Sequence, residues 1–172
     1  MNHISIDLET LGTAPGSIVL SVGATKFDPI TGEIGEKFYA NIVPQSCLEL
    51  GMTKDESTIA WWAEQSQEAR DALKVDRKPV RNVLENFQQW IGAPEGVWGW
   101  GASFDVVLIE CAYRATGLAI PWPHWNIECG KTLCKRVHIK PVRNTGVHHK
   151  ADVDAEMQAI AICQAYKKLR LA

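Results

Sequence analysis

Ile4-Ser5-Ile6-Asp7-Leu8-Glu9, followed by Thr10-Leu11-Gly12, is the stretch from which the fold can be read. Ile4, Ile6 and Leu8 alternate with Ser5, Asp7 and Glu9, the period-2 pattern of a strand with one apolar and one polar face. Asp7 and Glu9 are two residues apart, so their carboxylates share the polar face. Two carboxylates on one face repel unless a cation lies between them, and hard divalent cations favour oxygen ligands. Thr10-Leu11-Gly12 carries the strand end into a loop, the region where open α/β sheets place their active sites. Taken alone, an Asp-x-Glu pair is a weak motif, and its ordinary reading is two carboxylates on a solvent-facing strand.

Outward from this strand, Ile18 to Phe27 is apolar, rich in β-branched residues, and ends at the turn-forming cluster Asp28-Pro29-Ile30-Thr31-Gly32. Glu33 to Ile42 reads as a third strand, so the chain opens with a three-stranded meander. Helices are predicted over 54–65, 66–74 and 80–91, the last with Val83, Leu84, Phe87, Trp90 and Ile91 at helical spacing. Val97 to Gly101 reads as a short buried strand. Ser103 suits the N-cap of a helix from Phe104 to Thr116 that stops at Gly117. Residues 118–147 read as irregular, broken by Pro121, Pro123 and Pro141. A final helix is predicted from Ala151 to Leu169. Strands first, then strands interleaved with helices, predict an α/β fold: a mixed central sheet covered by helices.

Composition agrees with one domain spanning 1–172. The 172 residues are 46% hydrophobic, with 18 Lys and Arg against 20 Asp and Glu, which excludes global disorder. No apolar run reaches the roughly 18–20 residues that cross a bilayer. Met1-Asn2-His3-Ile4-Ser5 lacks the basic start and apolar stretch of a secretory signal, so a cytoplasmic location without membrane association is expected. The five cysteines are an odd number without a Cys-x-x-Cys pair, and read as reduced, mostly buried thiols. Cys129, Cys134, His138 and His148 match no common zinc spacing.

Two further acidic elements stand out. Asp105 lies at a strand-to-helix junction, in the first turn of its helix. There it can complement the helix dipole or meet the end of a neighbouring strand. His149-Lys150-Ala151-Asp152-Val153-Asp154 opens the C-terminal helix. His149 and Asp154 can face one cleft, the histidine accepting a proton near neutral pH and the aspartate completing a metal cage. Asp152 and Asp154 also suit a helix N-terminus simply as acids.

In this order, Asp7-x-Glu9, Asp105 preceded by Phe104, and His149-x-Ala151-x-x-Asp154 resemble the three exonuclease motifs of the DEDDh (DnaQ-like) family. The resemblance spans essentially the whole chain. It is narrower toward the exodeoxyribonuclease VIII-like and Rv2179c-like 3′–5′ exonucleases of phages and bacteria. The supporting stretches are Ile6 to Gly12, Ile59-Ala60-Trp61-Trp62 with Gln65-Ser66, and Gly146 to Asp152. Where many relatives carry an Arg-Asp-x-Arg-Thr-Leu stretch, this chain keeps Thr132-Leu133 and replaces the Arg-Asp pair.

The resemblance implies a ribonuclease H-like fold and removal of nucleotides from 3′ ends of single-stranded DNA or RNA, in a bacterial or phage-infected cell. It implies two Mg²⁺ or Mn²⁺ ions held by Asp7, Glu9, Asp105 and Asp154, with His149 as the base toward water. By the same analogy Leu11 and Phe104 wedge or stack the terminal nucleotide, and Thr10 contacts the 3′ end through its backbone or hydroxyl. A homodimer is a further implication.

Lys131, Lys135, Arg136, Lys140, Arg143 and Lys150 lie in a run, Cys129 to Ala151, that contains no acid. This is either a solvated basic loop or a device steering a phosphate backbone. Of seven tryptophans, Trp61 and Trp62 cannot both point inward from one helix, so one lines a nucleotide groove or a subunit contact. Two rival functions follow: an oligoribonuclease or RNA-trimming enzyme, and a non-catalytic binding module on the same fold. Retention of every motif carboxylate and the histidine weighs against the second.

Overall fold

A computed structural model of the chain describes residues 1–140 and 150–169. Five strands form one mixed sheet: β1 (His3–Thr10), β2 (Val19–Phe27), β3 (Ile34–Asn41), β4 (Gly96–Gly99) and β5 (Ile127–Cys129). The order across the sheet is β3-β2-β1-β4-β5. The first three strands are the expected antiparallel meander, whereas β4 and β5 join parallel to β1. The Asp28 carboxylate accepts the N–H groups of Ile30 (2.8 Å) and Thr31 (3.2 Å), and Gly32 supplies the positive φ of the β2–β3 turn.

Helices α1 (Pro44–Leu48), α2 (Glu56–Glu64), α3 (Gln67–Ala72) and α4 (Val80–Ile91) connect β3 to β4, and α5 (Asp105–Thr116) connects β4 to β5. After β5 come α6 (Gly130–Arg136) and α7 (Ala151–Leu169). The predicted spans of α4 and α7 agree with the structure, and Gly117 closes α5 in the left-handed conformation.

Three expectations are corrected. Phe104, rather than Ser103, occupies the N-cap position of α5, without a side-chain cap. The stretch from 118 is not irregular throughout: it contains a 3₁₀ turn at His124–Asn126, strand β5 and helix α6. At three and seven residues, β5 and α6 are too short to display a hydrophobic period. The five-residue α1 was likewise not anticipated. All five cysteines are free thiols, with Cys47, Cys134 and Cys163 buried.

The two faces of the sheet differ in kind. Ile4, Ile6, Leu8, Val22 and Ala24 form one core with Val83, Leu84 and Phe87 of α4 and Ile109 and Tyr113 of α5. On the other face Ser5, Asp7 and Glu9 stand beside their β2 partners Thr25, Gly23 and Ser21. This small, polar surface is covered by α7, which presents the buried Ala151, Ala155 and Ala159 at a four-residue spacing. Gly23 is the closest approach. A Cβ there would lie 2.0 Å from the Ala151 carbonyl carbon and 2.2 Å from the Asp152 nitrogen. Gly23 therefore lets the helix backbone rest on β2 directly opposite Asp7.

Gly23→Ala forces two backbones apart and should destabilise the protein by about 1–3 kcal/mol or more. At this chain length that lowers the melting temperature by about 2–4 °C per kcal/mol. Calorimetry giving an unchanged melting temperature would contradict the packing described.

Candidate active site

Asp7 and Glu9 project from β1 under the N-terminal turn of α7, which contributes Asp154. One carboxylate oxygen from each of the three lies within 4.8 Å of the others. Glu9 is buried and Asp7 partly so. Asp105, the first residue of α5, is buried and accepts the Leu8 N–H at 3.3 Å, so it meets the neighbouring strand end. Asp105 is thus tied to the β1 backbone beside the other three rather than within their 4.8 Å cluster.

Burial, joined at Asp7 and Glu9 by repulsion from neighbouring carboxylates, keeps Asp7, Glu9 and Asp105 protonated to unusually high pH. Desolvation raises Asp7 well above the ordinary carboxylate range, with the charges of Asp105, Glu9 and Asp154 adding to it. Glu9 is pushed up to about 8, chiefly by burial and then by Asp154 and Asp105. Burial lifts Asp105 to about 6, against the opposing N–H groups of Leu8, Asp105 itself and Trp100. Like charges 4 Å apart repel by about 4 kcal/mol at an effective dielectric constant of 20. A set of hard oxygen donors in that state fits a divalent cation, which favours the ionised form of every one.

Gln158, one turn beyond Asp154 on α7, was not singled out in the sequence. Its buried amide donates to Asp7 Oδ1 at 2.7 Å and accepts from Ser5 Oγ at 3.3 Å. The chain Ser5–Gln158–Asp7 fixes one Asp7 oxygen while the other remains available. The only signal in the sequence was a polar residue at a helix position bracketed by Ala155, Ala159 and Ile162.

Beside Glu9 opens a cavity of about 460 Å³, walled by Trp61, Trp62 and Phe104 and floored by Leu8, Glu9 and Thr10, with hydroxyls of Thr13, Ser57 and Thr58 around it. Trp62 is buried and donates its indole N–H to the Thr10 carbonyl at 2.8 Å, pinning α2 to the end of β1. Trp61 stands edge-on to it, 5.0 Å between ring centroids, and is 41% exposed. The two tryptophans thus divide as expected, one inward and one outward.

Other predicted positions fall elsewhere. The Thr10 hydroxyl donates to the Gly12 carbonyl at 2.7 Å, within the turn. Leu11 packs against the main core. Lys150 pairs with Asp152 at 3.4 Å and lies 5.3 Å from the Tyr39 ring centroid, lining a separate cavity of about 340 Å³ against β3. His149 lies outside the described residues, as do His148 and Arg143.

The family model described as "3'-5' exoribonuclease Rv2179c-like domain" matches residues 2–166. The chain belongs to this family. Its fold is the DnaQ-like fold expected from the sequence. The exodeoxyribonuclease of enterobacteria phage T4 is 29% identical over 133 residues, covering 66% of this chain and 58% of the phage protein. The chain therefore spans less than two thirds of that relative. Exonuclease X in complex with 5′-overhanging duplex DNA superposes with a TM-score of 0.62 at 16% identity, over 96% of this chain and 91% of that one. Product-bound exonuclease I gives 0.63 at 17% identity, over 98% and 44%. Both share the fold of this chain. Among the described residues no helix is long and apolar enough to cross a membrane.

Two outcomes test this family member's acidic cluster. An acid whose folded pKa is raised holds its proton in the native state after the unfolded chain has lost it. Its stabilisation is therefore complete below about pH 4.5 and is lost as pH rises toward about 8. In EDTA, Glu9→Gln should melt a few degrees above the parent at pH 8, the gap closing toward pH 5 and reversing when Mg²⁺ or Mn²⁺ is added. His3, whose pKa burial lowers, titrates in both proteins and cancels in the difference. Separately, Gln158→Leu should raise the metal concentration for half-maximal stabilisation by about 10–100-fold, as loss of an outer hydrogen bond to a ligand commonly does. An unchanged metal titration would remove Gln158 from the site.

Proposed function

We propose that this domain hydrolyses the terminal phosphodiester of single-stranded DNA or RNA from the 3′ end, releasing nucleoside 5′-monophosphates. The observation that carries the proposal is the convergence of the Asp7, Glu9 and Asp154 carboxylates at the edge of an aromatic-walled cavity. Asp7, Glu9, Asp105 and Asp154 would hold two Mg²⁺ or Mn²⁺ ions. Such a pair stabilises the attacking and leaving oxygens of an in-line displacement.

Each remaining task falls to the chain's own groups. His149, placed by the sequence just ahead of α7, accepts the proton of the attacking water. The water oxygen bonds to phosphorus, the bond to the 3′ oxygen breaks, and that oxygen keeps the electron pair and takes up a proton. Trp61 and Phe104 offer flat faces to the terminal base, each stacked base contributing about 1–3 kcal/mol. Gln158 holds Asp7 in one orientation throughout.

The family's description as exoribonuclease favours RNA, and the phage relative's name favours DNA. Discrimination depends on contacts to the 2′-OH, and the hydroxyls of Thr13, Ser57 and Thr58 are the groups in the cavity suited to it. A homodimer belongs to the same proposal. Trp125, 73% exposed beside His124, is the side chain such a contact would cover.

With 5′-labelled RNA and DNA of one sequence, the expected result is a metal-dependent ladder shortening from the 3′ end. Asp7→Asn should slow it by about 10³-fold, corresponding to about 4 kcal/mol of lost transition-state stabilisation. Full turnover by that variant, or a ladder shortening from the 5′ end, would refute the mechanism.

A further inference from the structure

Among the described residues, seven of the chain's eighteen Lys and Arg sit in ion pairs. Lys26, Lys37, Lys74, Lys78, Arg81, Arg114 and Lys150 each lie within 3.4 Å of a carboxylate. Lys131, Lys135 and Lys140 are among the cations with no acidic partner in the described residues, and they line one cavity. With Trp100, His138 and Ile139 they line a cavity of about 320 Å³ beside α6.

Local structure explains the arrangement. Cys134 and Val137 turn inward onto Ile162 and Cys163 of α7, which leaves Lys131 and Lys135, four residues apart, together on the outer face of α6. At the end of α6 the N–H groups of Val137 and Ile139 both reach the Cys134 carbonyl, at 3.2 and 3.0 Å. His138 takes a left-handed φ of 56°, unusual for a side-chain-bearing residue, and folds Ile139 and Lys140 back over the helix. Three lysines around one groove present positive charge that a polyanion can neutralise.

This groove is joined to the acidic cluster. The Trp100 main-chain N–H donates to the Asp105 carboxylate, while the Trp100 side chain lines the groove. Gly99, the preceding residue, pairs with Cys129 at the threshold of α6. A strand with its last phosphodiester at Asp7, Glu9 and Asp154 can pass Asp105 directly into the lysines.

We propose that the Trp100–Lys131–Lys135–Lys140 groove is a phosphate track that binds single-stranded nucleic acid on the 5′ side of the scissile bond. The track rests on the exonuclease activity proposed above for its placement, and it makes that enzyme one that prefers long strands to dinucleotides. An indole among lysines suits a polymer in which flat bases alternate with phosphates, better than it suits free phosphate. Neutralisation of each phosphate contact contributes about 0.7 to the slope of log K against log salt for single strands.

The test compares the parent with Lys131→Gln/Lys135→Gln, both at exposed positions where substitution leaves folding intact. Binding of a 5′-labelled oligonucleotide of about twelve nucleotides, followed by fluorescence anisotropy in EDTA, should weaken about tenfold, with the salt slope reduced by about 1.4. With Mn²⁺, KM for the same strand should rise while hydrolysis of a dinucleotide is unchanged. Unaltered anisotropy, or equal loss on dinucleotide and oligomer, would overturn the track. So would a shift in elution volume that marks the groove as a contact between copies of the chain. Tight, lysine-dependent binding by a parent protein that degrades neither RNA nor DNA would uphold the track and refute the exonuclease activity instead.

Discussion

The contact between Gly23 and the first turn of α7 sets the geometry of everything else. A side chain at position 23 would occupy the space taken by the Ala151 and Asp152 backbone. Because it has none, α7 lies directly on β2 and, in register, over Asp7. The alanines at 151, 155 and 159 continue that close packing along the helix. Asp154 and Gln158 are delivered to Asp7 as a consequence, one as a third carboxylate and the other as a hydrogen-bond clamp. The opposite face of the same strands, carrying Ile4, Ile6 and Leu8, provides the conventional apolar core that keeps the sheet in place.

This arrangement uses stability from the core to hold apart groups that would otherwise avoid each other. Asp7, Glu9 and Asp105 are all held above their ordinary titration range by burial, and neighbouring carboxylates raise Asp7 and Glu9 further. Such a cluster is a poor structural element and a good cation receptor. Two features flank it in opposite chemical senses. Toward α2 the aromatic cavity of Trp61, Trp62 and Phe104 is suited to a base, and toward α6 the lysine groove is suited to phosphates. Asp105 belongs to both boundaries, since Phe104 precedes it and the Trp100 N–H binds it.

Much of this was legible in the sequence wherever a period ran long enough to be seen. The alternation through Ile4 to Glu9 placed both acids on one face, and the twelve and nineteen residues of α4 and α7 matched their predicted spans. The short elements α1, β5 and α6 are not legible, because their backbones are held by pairing and packing rather than by their own pattern. At the site, Asp7, Glu9 and Asp154 came together as expected, and Asp105 met the adjacent strand end. Gln158 is not legible, because an amide on a helix has no motif of its own; only its hydrogen bonds to Ser5 and Asp7 give it a role. Lys150, expected to act on the substrate with the basic run, instead turns its ammonium to Asp152 and Tyr39, toward β3. The basic run read as a phosphate-steering device gains definition in the fold, which gathers Lys131, Lys135 and Lys140 around Trp100.

The central claim is that a carboxylate from α7 completes a cation site begun on β1. Isothermal titration of Mn²⁺ into the metal-free protein, beside Asp154→Asn, measures it most directly. Saturable binding by the parent, weakened at least about tenfold in the variant as expected for loss of a charged ligand, is the predicted result. Equal Mn²⁺ affinity in the two proteins, or no binding by either, would contradict it.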